Sequence, residues 1–216
     1  MEMWVQLSES STLRAQAALF QTSETSVNIQ PAFLPTLERS RPALQGRFEF
    51  SQRVGDDTRI EIAPGFHTST THVAGASVGS SLFSLDWFAN PWPKLEFAGM
   101  FFTGQNVSNM GALRQGFTVL DTTNVLLVHS RGGWAQFTLL ATRRLSFNLY
   151  GGQHDDRNAD LRLGGIGKNL AYAGNLMYRL APNVLLSFES SQVRTTYLGS
   201  GKRLTNHYDL AVGYLF

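Results

Sequence analysis

The chain has 216 residues, of which 16% are charged, with a formal net charge of +2 and no cysteine. The absence of cysteine excludes a disulfide scaffold, a cysteine-ligated zinc site and a thiol nucleophile. No stretch approaches the roughly 18 consecutive apolar residues that a membrane-spanning helix needs, and the sequence has no basic tract of the kind that nucleic-acid-binding proteins carry.

Apolar and polar residues alternate with a period of two over most of the chain, which predicts antiparallel β-structure. The segment 22–45 contains Pro31, Pro35 and Pro42 and is predicted to be a loop. In chain order, the predicted strands cover approximately residues 11–21, 46–54, 59–67, 77–88, 94–103, 129–141, 144–151, 169–180, 184–194 and 204–216. Each strand has one apolar face and one mixed, partly charged face.

The predicted connections alternate between short turns and longer polar stretches. The short turns lie at residues 55–57, 90–93, 142–143 and 181–183, and the longer stretches at 67–75, 104–124, 152–168 and 198–202. Short turns on one side and long loops on the other are typical of outer-membrane β-barrels. The sequence therefore predicts an all-β, antiparallel transmembrane β-barrel with about ten strands.

The carboxyl end carries the main resemblance to a known family. Residues 207–216 read HYDLAVGYLF, and in them Tyr208, Leu210, Val212, Tyr214 and Phe216 share one face. This pattern resembles the terminal assembly signal of bacterial outer-membrane barrels. Segments 39–50, 85–88, 102–106 and 197–201 are similar to porins, notably those related to trimeric dicarboxylate-type channels.

The resemblance implies a porin-like channel in the bacterial outer membrane, through which small hydrophilic solutes diffuse passively. It further implies contact with membrane lipid, recognition by the barrel-assembly machinery and a homotrimer. Residues 1–7 show no signal-peptide pattern. We therefore expect residues 1–216 to form a single barrel domain that is the carboxyl-terminal part of a larger barrel.

Polar positions that alternate with the apolar ones are expected to face the lumen, because an Arg or Lys facing lipid near the midplane costs about 2–4 kcal/mol. A competing interpretation is that these charges pair across strands and hold the wall together. The predicted pore-lining residues are Arg47, Glu49, Arg59, Glu61, Asp86, Glu96, Arg114, Asn175, Arg179 and Glu189.

Arg114 lies in the longest predicted loop, residues 104–124. If this loop folds into the lumen, Arg114 would stand at a constriction and favour anionic solutes. The alternative is a solvated surface loop.

Residues 152–160 concentrate His154 with Asp155, Asp156 and Asp160. Three carboxylates could contribute ligands to Ca²⁺, although the spacing does not match an EF-hand and Arg157 argues against it. His154 beside carboxylates could also form a base at the rim of a barrel enzyme. No catalytic motif is visible, so we expect neither enzyme activity nor a metal or cofactor. A soluble β-barrel that binds a ligand inside is a third possibility.

Overall fold

The computed structural model describes residues 1–24, 29–55, 58–110 and 115–214. Two short 3-10 turns, Ser108–Met110 and Asn158–Asp160, and one longer 3-10 helix, Pro31–Thr36, interrupt a chain that is otherwise mainly strand. The strands are β1 (Glu2–Gln6), β2 (Ser11–Ser23), β3 (Ser40–Gly55), β4 (Thr58–Val73), β5 (Ala76–Trp92), β6 (Leu95–Gln105), β7 (Phe117–Val119), β8 (Val125–Leu127), β9 (His129–Leu139), β10 (Leu145–Asp156), β11 (Ile166–Ala181), β12 (Val184–Tyr197) and β13 (Gly201–Tyr214).

Eleven of these strands form one antiparallel sheet in the order β1-β2-β3-β4-β5-β6-β9-β10-β11-β12-β13. The small hairpin β7–β8 pairs only within itself among the described residues. All ten predicted strands are present, and β1 adds an eleventh. The sheet is open, with β1 and β13 at its edges. Because neighbouring strands alternate in direction, these two edges run the same way, so antiparallel closure requires an odd number of further strands.

The prediction of a loop over residues 22–45 is wrong at both ends, because β2 continues to Ser23 and β3 begins at Ser40 and contains Pro42. Proline is tolerated there because it lies where the strand is paired on one side only. Pro42 pairs with Gln21 of β2, whereas the pairing of β3 with β4 begins at Ala43 and Ser69.

Two of the predicted long loops are shorter than expected, because strand residues occupy part of each. β4 continues to Val73 and β5 begins at Ala76, so only Ala74 and Gly75 form the turn. Their positive φ angles, 51° and 82°, are those of a tight hairpin turn. The stretch 198–202 likewise contains only a short turn before β13 begins at Gly201. In residues 67–73, the polar side chains of His67, Ser69 and Thr71 extend β4 because they are buried on one face of the sheet. A polar sequence does not reveal this burial.

The register places large apolar side chains in continuous rows on one side of the sheet, the apolar face. One such row runs across six strands without a polar residue, and many of its members are exposed. Its residues, in order from β6 to β13, are Leu95, Leu139, Phe147, Leu176, Phe188 and Leu210. The opposite side of the sheet, the polar face, carries the charged residues that alternate with the apolar ones along each strand. A face this apolar and this exposed requires a non-aqueous neighbour.

Close packing of backbone against backbone explains one glycine on this face. A Cβ at Gly133 would lie 2.4 Å from the carbonyl oxygen of Met100 and 3.1 Å from the Cα of Phe101. Gly79 has room, because the nearest atom to its Cβ position is the Gln105 Nε2, 3.8 Å away.

We predict that Gly133→Ala destabilises the folded protein by about 1–3 kcal/mol, the usual cost of overpacking a tight site. The matched control Gly79→Ala should leave stability within about 0.5 kcal/mol, as expected of a site without such a feature. Urea unfolding of protein refolded into detergent micelles measures both. Equal unfolding midpoints for the two variants would contradict the packing at Gly133.

Candidate channel lining

The first cluster on the polar face is centred on Arg47 of β3. Its Nη2 donates to Asp86 Oδ1 at 2.6 Å and its Nε donates to Asp86 Oδ2 at 3.2 Å. It also pairs with Glu49 on its own strand. Asp86 lies on β5, so the pair reaches across β4, which presents Ala63 and Gly65 at this level. Small residues on the strand between them leave space for the two side chains to meet above it.

A second charged pair lies nearer the short turns. Arg59 Nε is 2.8 Å from Glu61 Oε1, and the Arg59 guanidinium lies 4.8 Å from the centre of the Phe88 ring. Together with the Arg47 cluster, this pair shows that five of the predicted lining residues are held in ion pairs. Of these contacts only Arg47–Asp86 is the cross-strand pairing that the competing interpretation described, because Arg47–Glu49 and Arg59–Glu61 each lie within one strand.

A network of hydrogen-bonded hydroxyl, amide and carboxyl side chains covers the other half of the polar face. Thr138 Oγ1 donates to Asn148 Oδ1 at 2.7 Å, and Asn148 Nδ2 donates to Asn175 Oδ1 at 2.6 Å. The Tyr150 hydroxyl donates to Glu189, again reaching over one intervening strand. The network therefore ties together β9, β10, β11 and β12.

Nine of the ten predicted lining residues are described, and the register places all nine on the polar face. Glu96, opposite Thr138, and Arg179, opposite Leu185, complete the set. Arg114 lies outside the described residues. That this face lines a pore stays a prediction, as does the assembly role of Tyr208, Leu210, Val212 and Tyr214, which alternate along the edge strand β13. Phe216 also lies outside the described residues.

The connection between β6 and β9 folds back onto the sheet, where it forms an inward segment made of residues 106–110 and 115–128. Phe117 and Val119 of β7 are fully buried against Val73 and Val78, which lie on the polar face of the β4–β5 hairpin. Ile29 completes this small core. The described part of the segment is therefore packed against the interior side and is not a solvated surface loop.

Hydrogen bonds hold the inward segment to elements on both sides of it. Gln115 Nε2 donates to the Ile166 carbonyl at 2.8 Å, and the Ile166 N–H donates to Gln115 Oε1 at 3.0 Å. Arg162 Nη2 donates to the Val119 carbonyl at 3.0 Å. The amide groups of Asn106 and Asn109 both donate to Glu24. The segment is thus tethered to the start of β11 and to the end of β2.

These anchoring residues could not be predicted from the sequence, because they come from distant parts of the chain and have no motif. The feature of the sequence that could have indicated the β7–β8 hairpin is its turn at residues 120–124. There, Asp121 accepts hydrogen bonds from the Asn124 side chain and from Thr123, which lower the pKa of Asp121 to about 2. A side-chain carboxylate that caps its own turn marks a tight hairpin, although three-residue strands are too short for a period to show.

Glu24 is 4% exposed, and its burial raises the pKa of its carboxyl. Hydrogen bonds from Asn106 and Asn109 oppose this shift. A carboxyl whose pKa is higher in the folded state contributes stability that is complete at acidic pH and is lost as the pH rises through that raised pKa. The anchor at Glu24 is therefore stronger in acid than at neutral pH.

We predict that Glu24→Gln, which removes the buried charge, slows hydrogen exchange of residues 115–119 at pH 7.5 and makes their protection independent of pH. In the wild-type protein, protection should increase between pH 7.5 and pH 5 after correction for the intrinsic exchange rate. Hydrogen–deuterium exchange read by mass spectrometry measures both proteins. Protection in the wild type that falls on acidification would contradict the prediction.

The His and Asp residues that could have formed an enzyme site do not have the arrangement of a catalytic nucleophile and its base. His154 Nε2 lies 2.7 Å from Asp156 Oδ1, and Ser130 Oγ donates to that same oxygen at 2.5 Å. Serine and histidine therefore bind one carboxylate and not each other, which is not the contact of a nucleophile with its base. Ser130 and Asp156 are also buried.

The three carboxylates of this loop do not converge on one point. Asp155 pairs with Arg131, Asp156 with His154, and Asp160 accepts from the backbone and the ring of His129. Within the part of the chain that the structure describes, no group of three or more potential ligands could hold a metal ion. Asp160 instead fixes the loop to the beginning of β9.

Together, an exposed apolar face, a charged polar face and a segment folded onto the polar side are the features expected of the wall of a transmembrane β-barrel. In the ranges that the structure describes, no helix is long and apolar enough to cross a membrane.

Among solved structures, one match supports the β-barrel fold. The crystal structure of the outer membrane channel DcaP of Acinetobacter baumannii matches all of this chain with a TM-score of 0.76 and 10% sequence identity, and the match covers 61% of the DcaP chain. A monoaromatic hydrocarbon channel, CymD, matches with a TM-score of 0.44 and 8% identity over the whole of this chain and 72% of its own. No family model and no curated protein matches the sequence.

The chain therefore has the fold of an outer-membrane channel barrel, with its sheet open, and spans about three fifths of the length of the DcaP chain.

Proposed function

We propose that this protein forms part of an outer-membrane channel for the passive diffusion of small hydrophilic solutes. The observation that carries the proposal is the separation of the two faces: charged and amide side chains meet across neighbouring strands on one face, while Phe, Leu, Ile and Tyr side chains remain exposed on the other. In a closed barrel of this orientation, the polar face surrounds water and the apolar face meets lipid.

The inward segment would narrow this lumen from the long-loop side. It is a packed structure with its own small core, so it would set the size limit for solutes. The lining charges would then tune the preference for anions or cations. The nine described lining residues include three arginines and five carboxylates, and the expectation of anionic solutes depends on Arg114.

The sequence is also compatible with two other functions. A soluble ligand-binding barrel would place Phe and Leu inside and the charges outside, which is the reverse of the exposed fractions in this sheet. An enzyme at the rim would need accessible His and Asp groups, but Asp156 is buried and shared between Ser130 and His154. The channel neighbours favour a protein without enzyme activity.

Refolding into detergent micelles followed by planar-bilayer recording tests the proposal. We expect heat-modifiable migration on gels and discrete conductance steps. A protein that stays soluble and β-rich without detergent, and that never conducts, would exclude the channel and favour the ligand-binding alternative. The oligomeric state of the refolded protein would test the homotrimer, and loss of membrane assembly in a Tyr214→Asp variant would test the proposed terminal signal.

A further inference from the structure

A row of outward-facing cations crosses the long-loop end of the apolar face. From β9 to β13 the register pairs Arg131 with Asp155, Asp155 with Lys168, Lys168 with Thr196, and Thr196 with Lys202. Arg131, Lys168 and Lys202, together with Arg194 one row below, form what we call the basic rim. At about 4.8 Å between strands, the row from β9 to β13 is roughly 19 Å long.

Three of the four members of the basic rim are open to the surroundings of the barrel, and Lys168 is half-buried. The Arg131 side chain is 72% exposed, and Arg194 and Lys202 are exposed. Asp155 is the one acidic side chain in this row among the described residues, and it lies 3.3 Å from Arg131. The rim therefore carries an excess of positive charge that its own neighbours do not neutralise.

The height of the rim coincides with one edge of the apolar band. On β13, ten residue steps separate Lys202 from Val212, which lies among the exposed apolar residues near the short turns. At about 3.3 Å a step and a strand tilt of about 40°, this corresponds to roughly 25 Å of height, the usual height of the apolar band of such barrels. The cations thus lie where lipid headgroups begin.

The charge is confined to one part of the circumference. Beyond β9 the same row continues through Thr103, Phe83 and Phe66, none of which is charged. A feature that served only to mark the membrane boundary would follow the whole sheet. A local group of cations above an apolar surface instead has the chemistry of a headgroup-binding site.

We propose that the basic rim binds the phosphate groups of lipids in the leaflet on the long-loop side, with the acyl chains extending over the apolar row nearer the short turns, where Leu176, Phe188 and Leu210 lie. Arg131 and Arg194 offer planar donor pairs to phosphate oxygens, and Lys168 and Lys202 add point charges. This inference rests on the proposed membrane location of the barrel, but it does not require that the barrel conducts.

The test uses the full chain refolded into zwitterionic detergent micelles and a lipid that ends in a phosphate monoester, phosphatidic acid. Diacylglycerol with the same chains is the phosphate-free probe. The rim variant is R131Q/K168Q/K202Q. The matched control K94Q/R143Q/R144Q also removes three exposed positive charges, but from the short turns at the opposite end.

We expect the rim variant to lose on the order of 100-fold in affinity for phosphatidic acid, as three charges near an anionic headgroup predict. The control variant should stay within about twofold of the wild type, and diacylglycerol should bind all three proteins weakly and alike. Inorganic phosphate at the same concentration as the lipid should not compete.

Equal losses in the two variants would overturn the site, because the binding would then follow net charge. Competition by free phosphate at equal concentration would assign the rim to a soluble anion and not to lipid. A changed oligomeric state with unchanged lipid affinity would assign it to a protein contact. Heat-modifiable migration of each variant, recorded in parallel, separates failure of this site from failure of the barrel itself.

Discussion

Arg47→Glu should shift the ion selectivity of the channel strongly toward cations. The substitution changes the charge by two units at the centre of the Arg47 cluster, where Glu49 and Asp86 would remain without their cation. Three carboxylates would then face one part of the lumen. In a planar bilayer with a salt gradient, we expect the cation-to-anion permeability ratio from the reversal potential to rise severalfold near 0.1 M salt.

The shift should shrink at high salt. The screening length falls from about 10 Å at 0.1 M to about 3 Å at 1 M, so fixed lumen charges act over a shorter range. Arg143→Glu makes the same change of charge at an exposed turn and should move the reversal potential little. If the two variants behave alike while both retain heat-modifiable migration, Arg47 does not line the conducting path.

Phe117→Ala should release the inward segment and enlarge the conducting path. Phe117 is fully buried between the β7–β8 hairpin and the sheet, and its truncation should cost about 3–5 kcal/mol of packing. The hairpin is only two three-residue strands, whereas the large sheet has its own continuous pairing. We therefore expect the loss to appear as detachment of the segment and not as unfolding of the barrel.

Two measurements detect the release of the inward segment. Single-channel conductance should rise, and trypsin should cleave after Arg114 severalfold faster than in the wild-type protein. Leu120→Ala is the matched control, because Leu120 belongs to the same hairpin but is 54% exposed. Conductance and cleavage indistinguishable from those of the Leu120 variant would show that Phe117 does not hold a constriction.

The alternation of apolar and polar residues was sufficient to predict the strands and their faces. Side chains two residues apart point the same way in a strand, so the sorting of Phe48 and Phe50 from Arg47 and Glu49 follows from the chain alone. The same local rule placed all nine described lining residues on one face. It failed at residues 67–73, where Ser69 and Thr71 are buried and no local pattern announces burial.

What the tertiary structure alone decided is which distant groups meet. Arg47 reaches Asp86 only because Ala63 and Gly65 lie between them on β4, and Glu24 meets Asn106 only because the inward segment folds back over the sheet. The row from Arg131 to Lys202 likewise depends on the register of five strands. Period and composition report the environment of each residue along its own strand, whereas the side chains opposite it are set by strand pairing and packing over the whole sheet.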